Sequence, residues 1–330
     1  MGSTANTPLS VTGKYAVITG AGSGIYPYAP VHSLQILTYS GINLAFARLL
    51  LSKGCSVVIG DLALRPEAEA LISQYPHPPS AGKPSALFHR TNVTSWKDLS
   101  SLWETTVSTF PSVDIVVPGA GIFEPRWSDF WKPPRSATNP DTPSTDGPAD
   151  ADPVGTYATI EVNLTHPIRL SQLAIGHWTT TKTKGTLLHV SSCAGHAYSI
   201  GTPLYYASKH GLHGFVRSLG GLRAEVGIRV CAVAPGAVTT PLWSGDPDKR
   251  GMRAAEDKFI EPEEIADAML ELCEREEYGD GTILEALKGK RRVVPLYGLA
   301  PPTGEGLSIT GFEEMQRGIY ARLKGEGLRV

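Results

Sequence analysis

Two residues four positions apart carry the first chemical signal. In Tyr205-Tyr-Ala-Ser-Lys209 the phenol and the ammonium fall at i and i+4, on one face of any helix that contains them. A phenol of pKa ~10 is a poor base at neutral pH, and an adjacent ammonium favours the phenolate and makes it a usable proton shuttle. Ser192, thirteen residues upstream, ends the apolar run TLLHVSS. That places a hydroxyl beside the phenol, at the carboxyl edge of a parallel sheet, where such sheets bind ligands. A second signal lies at Thr19–Ile25, where the run YAVIT passes directly into TGAGSGI. Gly20, Ser23, Gly24 and Ile25 belong to a turn tight enough to present backbone N–H groups to a diphosphate at the next helix N-terminus. Asp61 closes a second apolar run, where a carboxylate can accept hydrogen bonds from an adenosine ribose.

The spacing between loop and acid is anomalous. Gly20 and Asp61 are 41 residues apart, where a dinucleotide site expects roughly 20. Ser-Gly-Ile occurs at Ser23–Ile25 and again at Ser40–Ile42, and removing one copy with the intervening residues leaves TGAGSGINLAFARLL and a separation of 24. Residues 26–42 therefore read as an anomalous insertion in the phosphate loop. Its origin has two readings: a retained intron or similar gene-level error, or a genuine bulged loop that weakens diphosphate binding.

These groups need a frame. The runs Tyr15–Thr19, Ser56–Gly60, Asp114–Val117, Thr186–Val190 and Ile228–Val233 are continuously apolar, the pattern of strands covered on both faces. Helical patterns lie between them at Gly41–Lys53, Asp98–Phe110, Asn163–Thr180 and Tyr205–Val226, and another starts at Pro262. Alternation of this kind predicts an α/β fold: a single Rossmann-type domain with a doubly wound parallel sheet over residues 1–300. Glu124–Pro153 holds seven prolines and reads as a substrate-side loop within that domain, not a boundary. Its Trp127, Phe130 and Trp131 either wall an apolar pocket or anchor the loop. Residues 301–330 form a C-terminal helical extension with a stripe of Phe312, Met315, Ile319 and Leu323.

Composition excludes several classes. The 330 residues carry 30 basic and 32 acidic side chains for a net charge of -2, so nothing global attracts nucleic acid or an anionic membrane. No apolar stretch approaches the ~20 residues that span a bilayer, and the start has no signal-peptide pattern. A cytoplasmic protein is expected. Cys55, Cys193, Cys231 and Cys273 lack CxxC spacing and fit reduced thiols better than a disulfide framework or a zinc site, so no metal is expected.

Taken together, Val11 to Leu287 resembles the short-chain dehydrogenase/reductase family. The family's TGxxxGxG, strand-end acid, NNAG, helix Asn, Ser, YxxxK and PG turn correspond here to Thr19-Gly20 with Gly24, Asp61, Pro118-Gly119-Ala120-Gly121, Asn163, Ser192, Tyr205 with Lys209, and Pro235-Gly236 with Thr240. The resemblance implies that Tyr205 is the acid/base, that Lys209 lowers its pKa and holds the nicotinamide ribose, that Ser192 orients the substrate oxygen, and that Asn163 supports a relay water. Val238 and Thr240 would contact the carboxamide, Asn92 and Val93 the adenine, and Gly119 the nucleotide crevice. Asp61 followed by Leu62 implies NAD over NADP, Arg65 being the nearest base after it. The YYASKHGLHGFVRS stretch is similar to NAD-dependent hydroxyprostaglandin dehydrogenases. The implied substrate is a small-molecule secondary alcohol or ketone, and the implied assembly a homodimer or homotetramer. Two departures stand out: NNAG has become PGAG, and the third loop glycine is Tyr26 as written or Asn43 once the insertion is removed. They support a competing reading, a non-catalytic nucleotide-binding or scaffold protein or an inactive isoform, which the intact Asn163, Ser192, Tyr205 and Lys209 argue against.

Overall fold

The apolar runs become strands because each has helices on both sides to bury its alternate side chains. The computed structural model describes residues 9–22, 41–147, 155–240, 257–296 and 311–328. The strands are β1 (Tyr15–Thr19), β2 (Ser56–Asp61), β3 (Ala86–Arg90), β4 (Ile115–Val117), β5 (Gly185–Val190), β6 (Ile228–Pro235), β7 (Asp280–Leu287) and β8 (Lys290–Val293). They lie in the order β3-β2-β1-β4-β5-β6-β7-β8. Every pairing is parallel except β7–β8, an antiparallel hairpin that closes one edge. On β1, Ala16 and Ile18 pack toward α1 (Ile42–Ser52) and α8 (Pro262–Glu274). Val17 faces the opposite layer of α3 (Trp96–Thr109), α5 (His166–Thr181) and α6 (Pro203–Ser218). The two faces of the sheet thus bury two separate cores, as a doubly wound fold requires.

Local chemistry sets the helix boundaries. Ser95 caps α3 by accepting from the Asp98 N–H, and α8 begins with Pro262 inside a Glu261–Glu264 capping box. The expected helix over Tyr205–Val226 is broken at Leu219–Gly221 into α6 and α7 (Leu222–Val226). The cause is packing: a Cβ on Gly220 would lie 2.6 Å from the Asp280 carbonyl oxygen, so the turn that brings α6 against β7 needs a glycine. α2 (Pro66–Gln74), β3, β7 and β8 were not marked by the sequence pattern; β3 is only partly buried and β8 is exposed throughout. The C-terminal α9 (Gly311–Gly325) docks on its own chain, with Leu323 buried, Tyr320 beside Gly221 and Ile319 turned outward at 41% exposure. The contact face therefore runs through Tyr320 and Leu323, not through Ile319 as the expected stripe had it. The side chains of Phe312 and Met315 lie outside the described residues.

The strand order reverses between β1 and β4, which opens a crevice at their carboxyl ends. Thr19 ties that crevice shut from behind. Its Oγ1 accepts from the Gly119 N–H (3.0 Å) and lies 3.0 Å from His166 Nε2, while His166 Nδ1 lies 3.0 Å from the Val162 carbonyl. A carbonyl only accepts, so Nδ1 carries the proton and the Thr19 hydroxyl donates to Nε2. Burial holds His166 and His189 neutral, with both imidazoles pushed down to about 4. Because these values lie below that of an unfolded histidine (~6.5), the unfolded chain binds more protons between them, and stability is lost as pH falls from ~6.5 toward 4. Replacing His166 with Gln should flatten the slope of unfolding free energy against pH in this window by about 1.4 kcal/mol per pH unit, read by denaturant titration at several pH values.

Candidate active site

Proline at the first turn of α6 sets its start, and the helix carries Tyr205 and Lys209 on the face turned to β5. The Lys209 Nζ lies 5.7 Å from the Tyr205 ring centroid and donates to the Val190 carbonyl at 3.0 Å. Lys209 is only 5% exposed, and among the described residues that carbonyl is the hydrogen-bond partner of its ammonium. An ammonium has three donors, so two remain for a ligand. Ser192 lies two residues past the end of β5 and caps the short turn Cys193–His196, accepting from the Ala194 N–H at 3.1 Å. Burial raises the Tyr205 phenol to about 12, against a lowering pull from Ser192, and drives Lys209 down to about 8. The expected lowering of the phenol by Lys209 is not among the causes of this shift: desolvation sets its direction, and the opposing pull comes from Ser192.

Asn163 sits in a π-helical turn, Glu161–Thr165, between α4 (Ala158–Ile160) and α5. The turn aims its amide at the segment after β4: Oδ1 accepts from the Ile122 N–H (2.9 Å), and Nδ2 donates to the Ile122 carbonyl (2.8 Å) and to Ser208 Oγ (3.2 Å). A Cβ placed on Gly121 would meet only Asn163 Oδ1 at 3.4 Å, Lys209 Nζ at 3.8 Å and the Gly119 carbonyl at 4.0 Å. The open side of Gly121 therefore faces the same space as the lysine.

The phosphate-loop side is built by exchange. Asn43, in the first turn of α1, donates through Nδ2 to the Gly119 carbonyl (2.8 Å) and the Gly20 carbonyl (3.3 Å). A Cβ on Gly119 would collide with the Asn43 amide, and one on Gly20 (φ 79°) would lie 2.6 Å from Ala120 Cα. Both departures noted in the sequence meet in this contact: the side chain missing at Gly119 is replaced by the one present at Asn43. Asp61 Oδ2 accepts from the Gly22 N–H (2.8 Å) and Oδ1 from the Leu62 N–H (2.7 Å), fixing the acid at the end of β2 against the loop. Asn92 and Val93 follow β3 on the same edge, Asn92 Oδ1 accepting from the Thr94 N–H at 3.1 Å. Val238 is buried just after β6, and Thr240 ends that described segment. Ser23, Gly24 and Ile25, with the rest of 26–40, lie outside the described residues, as does the stretch 241–256. The residues present fit a nicotinamide nucleotide. The Gly121 cradle, the unused Lys209 donors and Asp61 lie along the carboxyl edge that such a ligand would cross.

Glu124 and Asn43 escaped the sequence reading. Glu124, 4% exposed, accepts from the Tyr205 N–H (2.9 Å) and the Phe130 N–H (3.0 Å). Asn43 was noticed only as a missing glycine. Trp131 of the same loop donates through Nε1 to the Ile200 carbonyl at 2.7 Å, and Trp131 and Phe130 are half-exposed. Cys193, His196 and Glu285 bring ligand-type atoms within 4.8 Å of one another, but Arg292 holds both Glu285 oxygens. His189 is a packed core histidine bonded to Ser171, and the Cys193 thiol is raised to about 11 by burial, far from a reactive thiolate.

With this geometry in place, the comparisons define the class. The short chain dehydrogenase family model matches residues 38–251, most of the chain, starting within the expected insertion at residues 26–42. The cis-4-hydroxycyclohexanecarboxylate dehydrogenase of Sinomonas cyclohexanicum is 33% identical over 70% of this chain and 84% of its own length. The 3-oxoacyl-(acyl-carrier-protein) reductase FabG of Thermotoga maritima is 26% identical over 81% of this chain and 93% of its own. A crystal structure of the Brucella melitensis 3-ketoacyl-(acyl-carrier-protein) reductase, complexed with NADH, superposes with a TM-score of 0.60 at 22% identity, covering 85% of this chain and 99% of that one. The chain belongs to the short-chain dehydrogenase/reductase family of oxidoreductases.

The Asn43–Gly119 exchange is open to a double-mutant cycle. Gly119→Asn should destabilise the fold by about 1–3 kcal/mol through overpacking, and Asn43→Gly should cost about 1–2 kcal/mol through lost hydrogen bonds. The double variant should be more stable than the sum of the two predicts, with a coupling of about 1 kcal/mol or more in denaturant unfolding.

Proposed function

We propose that the protein interconverts a secondary alcohol and a ketone with NAD(H), Tyr205 exchanging the hydroxyl proton. The observation that carries this reading is the meeting of Tyr205, Ser192 and the buried Lys209 at the strand ends beside the β1–β4 crevice. A bound nicotinamide nucleotide supplies the hydride acceptor or donor. In the reducing direction the Tyr205 phenol, protonated at neutral pH by its raised pKa, gives its proton to the ketone oxygen. Ser192 donates to the same oxygen and fixes its direction. Lys209 remains an ammonium at neutral pH and offers its two unused donors to a ribose diol. Asn163 acts as a positioning residue, since its side-chain amide is committed to Ile122 and Ser208.

Several features support the finer points. Asp61 at the end of β2 favours NAD, because a carboxylate repels a 2′-phosphate, and the Arg65 guanidinium pairs with Glu67 at 3.8 Å. The four free cysteines suit a reducing, cytoplasmic setting. The printed name of the Sinomonas relative makes cyclic secondary alcohols the first substrates to try. We assign a homodimer or homotetramer on the resemblance alone.

Calorimetry with NAD and NADP on the full chain and on a variant lacking Ile25–Gly41 tests the cofactor reading. NAD binding by both supports the enzyme as given. Binding by the shortened chain alone makes the segment an error or an off switch, and binding by neither removes the cofactor and leaves the non-catalytic reading. In a chain that binds, Tyr205→Phe should lower turnover by about 100-fold or more while NAD affinity is retained.

A further inference from the structure

The catalytic helix has no local cap. Thr202 stands at the N-cap of α6 without a side-chain hydrogen bond, and Pro203 has no N–H to satisfy. The first bond back to the Thr202 carbonyl comes from the Tyr206 N–H at 3.2 Å. The two donors left over are the backbone N–H groups of Leu204 and Tyr205. Glu124 answers them from a loop 81 residues earlier in the chain: its Oε2 accepts from the Tyr205 N–H at 2.9 Å, and the Leu204 N–H also faces the carboxylate. Its Oε1 accepts from the Phe130 N–H at 3.0 Å, so one carboxylate binds the helix start and closes its own loop. Two further contacts join the same segments, the Trp131 Nε1–Ile200 carbonyl bond at 2.7 Å and the Phe123 ring, edge-on to the Tyr205 ring at 4.7 Å.

From this accounting we infer that Glu124 is a positioning residue for Tyr205, a helix cap delivered by the substrate-side loop that sets where the phenol stands relative to Ser192. The inference rests on the proposed alcohol–ketone chemistry only for its kinetic consequence. A carboxylate at a helix N-terminus meets the positive end of the helix dipole, and charge-assisted bonds to backbone N–H groups are about twice as strong as neutral ones. Losing them frees the first turn, which carries Tyr205, and leaves the later turn with Lys209 in place.

The test compares Glu124→Ala and Glu124→Gln with the unaltered chain by site-resolved amide hydrogen exchange and by kinetics. Glu124→Ala should speed exchange at Leu204 and Tyr205 by about 10- to 100-fold, with the amides beyond Lys209 unchanged. It should lower kcat by about tenfold or more with the KM for nucleotide held, and shift the Tyr205 limb of the pH–rate profile. Glu124→Gln keeps one acceptor and should recover part of both effects; it also carries the test if the alanine variant fails to fold. Unchanged exchange at Leu204 and Tyr205 overturns the inference. So does faster exchange with kcat and the pH limb untouched, which would make Glu124 a loop brace only. The exchange contrast needs no substrate, so a failed alcohol–ketone reading would appear separately, as an absence of turnover in the unaltered chain.

Discussion

The hydrogen bond between Thr19 and His166 is the contact on which the rest of the site depends. A doubly wound sheet leaves a crevice where its strand order reverses, and the loops at that point have no neighbouring strand to hold them. Thr19 supplies the hold. Its hydroxyl accepts from the Gly119 N–H and donates to a histidine whose other nitrogen reaches Val162, one residue before Asn163. Asn163 then grips Ile122 and Ser208, and Ser208 lies on α6 between Tyr205 and Lys209. One continuous polar chain runs from the end of β1 to α6 through groups that are buried and hydrogen-bonded to one another. Such chains are rigid, because any broken link leaves a buried donor or acceptor exposed to the full cost of desolvation.

That rigidity permits a costly charge arrangement. Lys209 is buried with one carbonyl partner, and burial pulls its pKa down while pushing the neighbouring phenol up. Desolvation disfavours the charged form of each, so the phenol is neutral and the ammonium keeps donors in reserve. A ligand that brings hydroxyls to the lysine would use those donors, and in the proposed reaction binding and proton transfer would draw on the same electrostatic imbalance.

Most of this frame was legible in the sequence, and the exceptions share a physical cause. YAVIT, SVVIG and IRVCAV read as strands because both of their faces are buried, which leaves no polar interruption. β3 and β8 were silent because an edge strand needs no such run. Tyr205, Lys209 and Ser192 stand out in the sequence because their spacing is local. Glu124 does not, since nothing within several residues of it reveals that its partner is a backbone N–H 81 positions away. Asn43 and Gly119 showed up singly, each as a departure. Only the packed structure makes them one event, because the compatibility of a side chain with a missing Cβ is a property of space, not of sequence.

The 41-residue spacing from Gly20 to Asp61 separates what a fold requires from what a site requires. Asn43 and Gly20 are 23 residues apart in the chain and hydrogen-bonded in space, and the Arg65 N–H reaches the Gly22 carbonyl at 2.9 Å. The contacts that seat β1 and α1 therefore close across residues 23–40 as though those residues were not there, and β1 keeps its register between β2 and β4. Closing a loop of this length costs only about 2–3 kcal/mol in chain entropy, a sum that a sheet buried on both faces can absorb. The proposed diphosphate site would be less forgiving, since such a site depends on consecutive backbone N–H groups leading into a helix N-terminus. The contacts on either side of residues 23–40 thus stand whole, and the proposed nucleotide site is where the insertion expected at residues 26–42 would be felt.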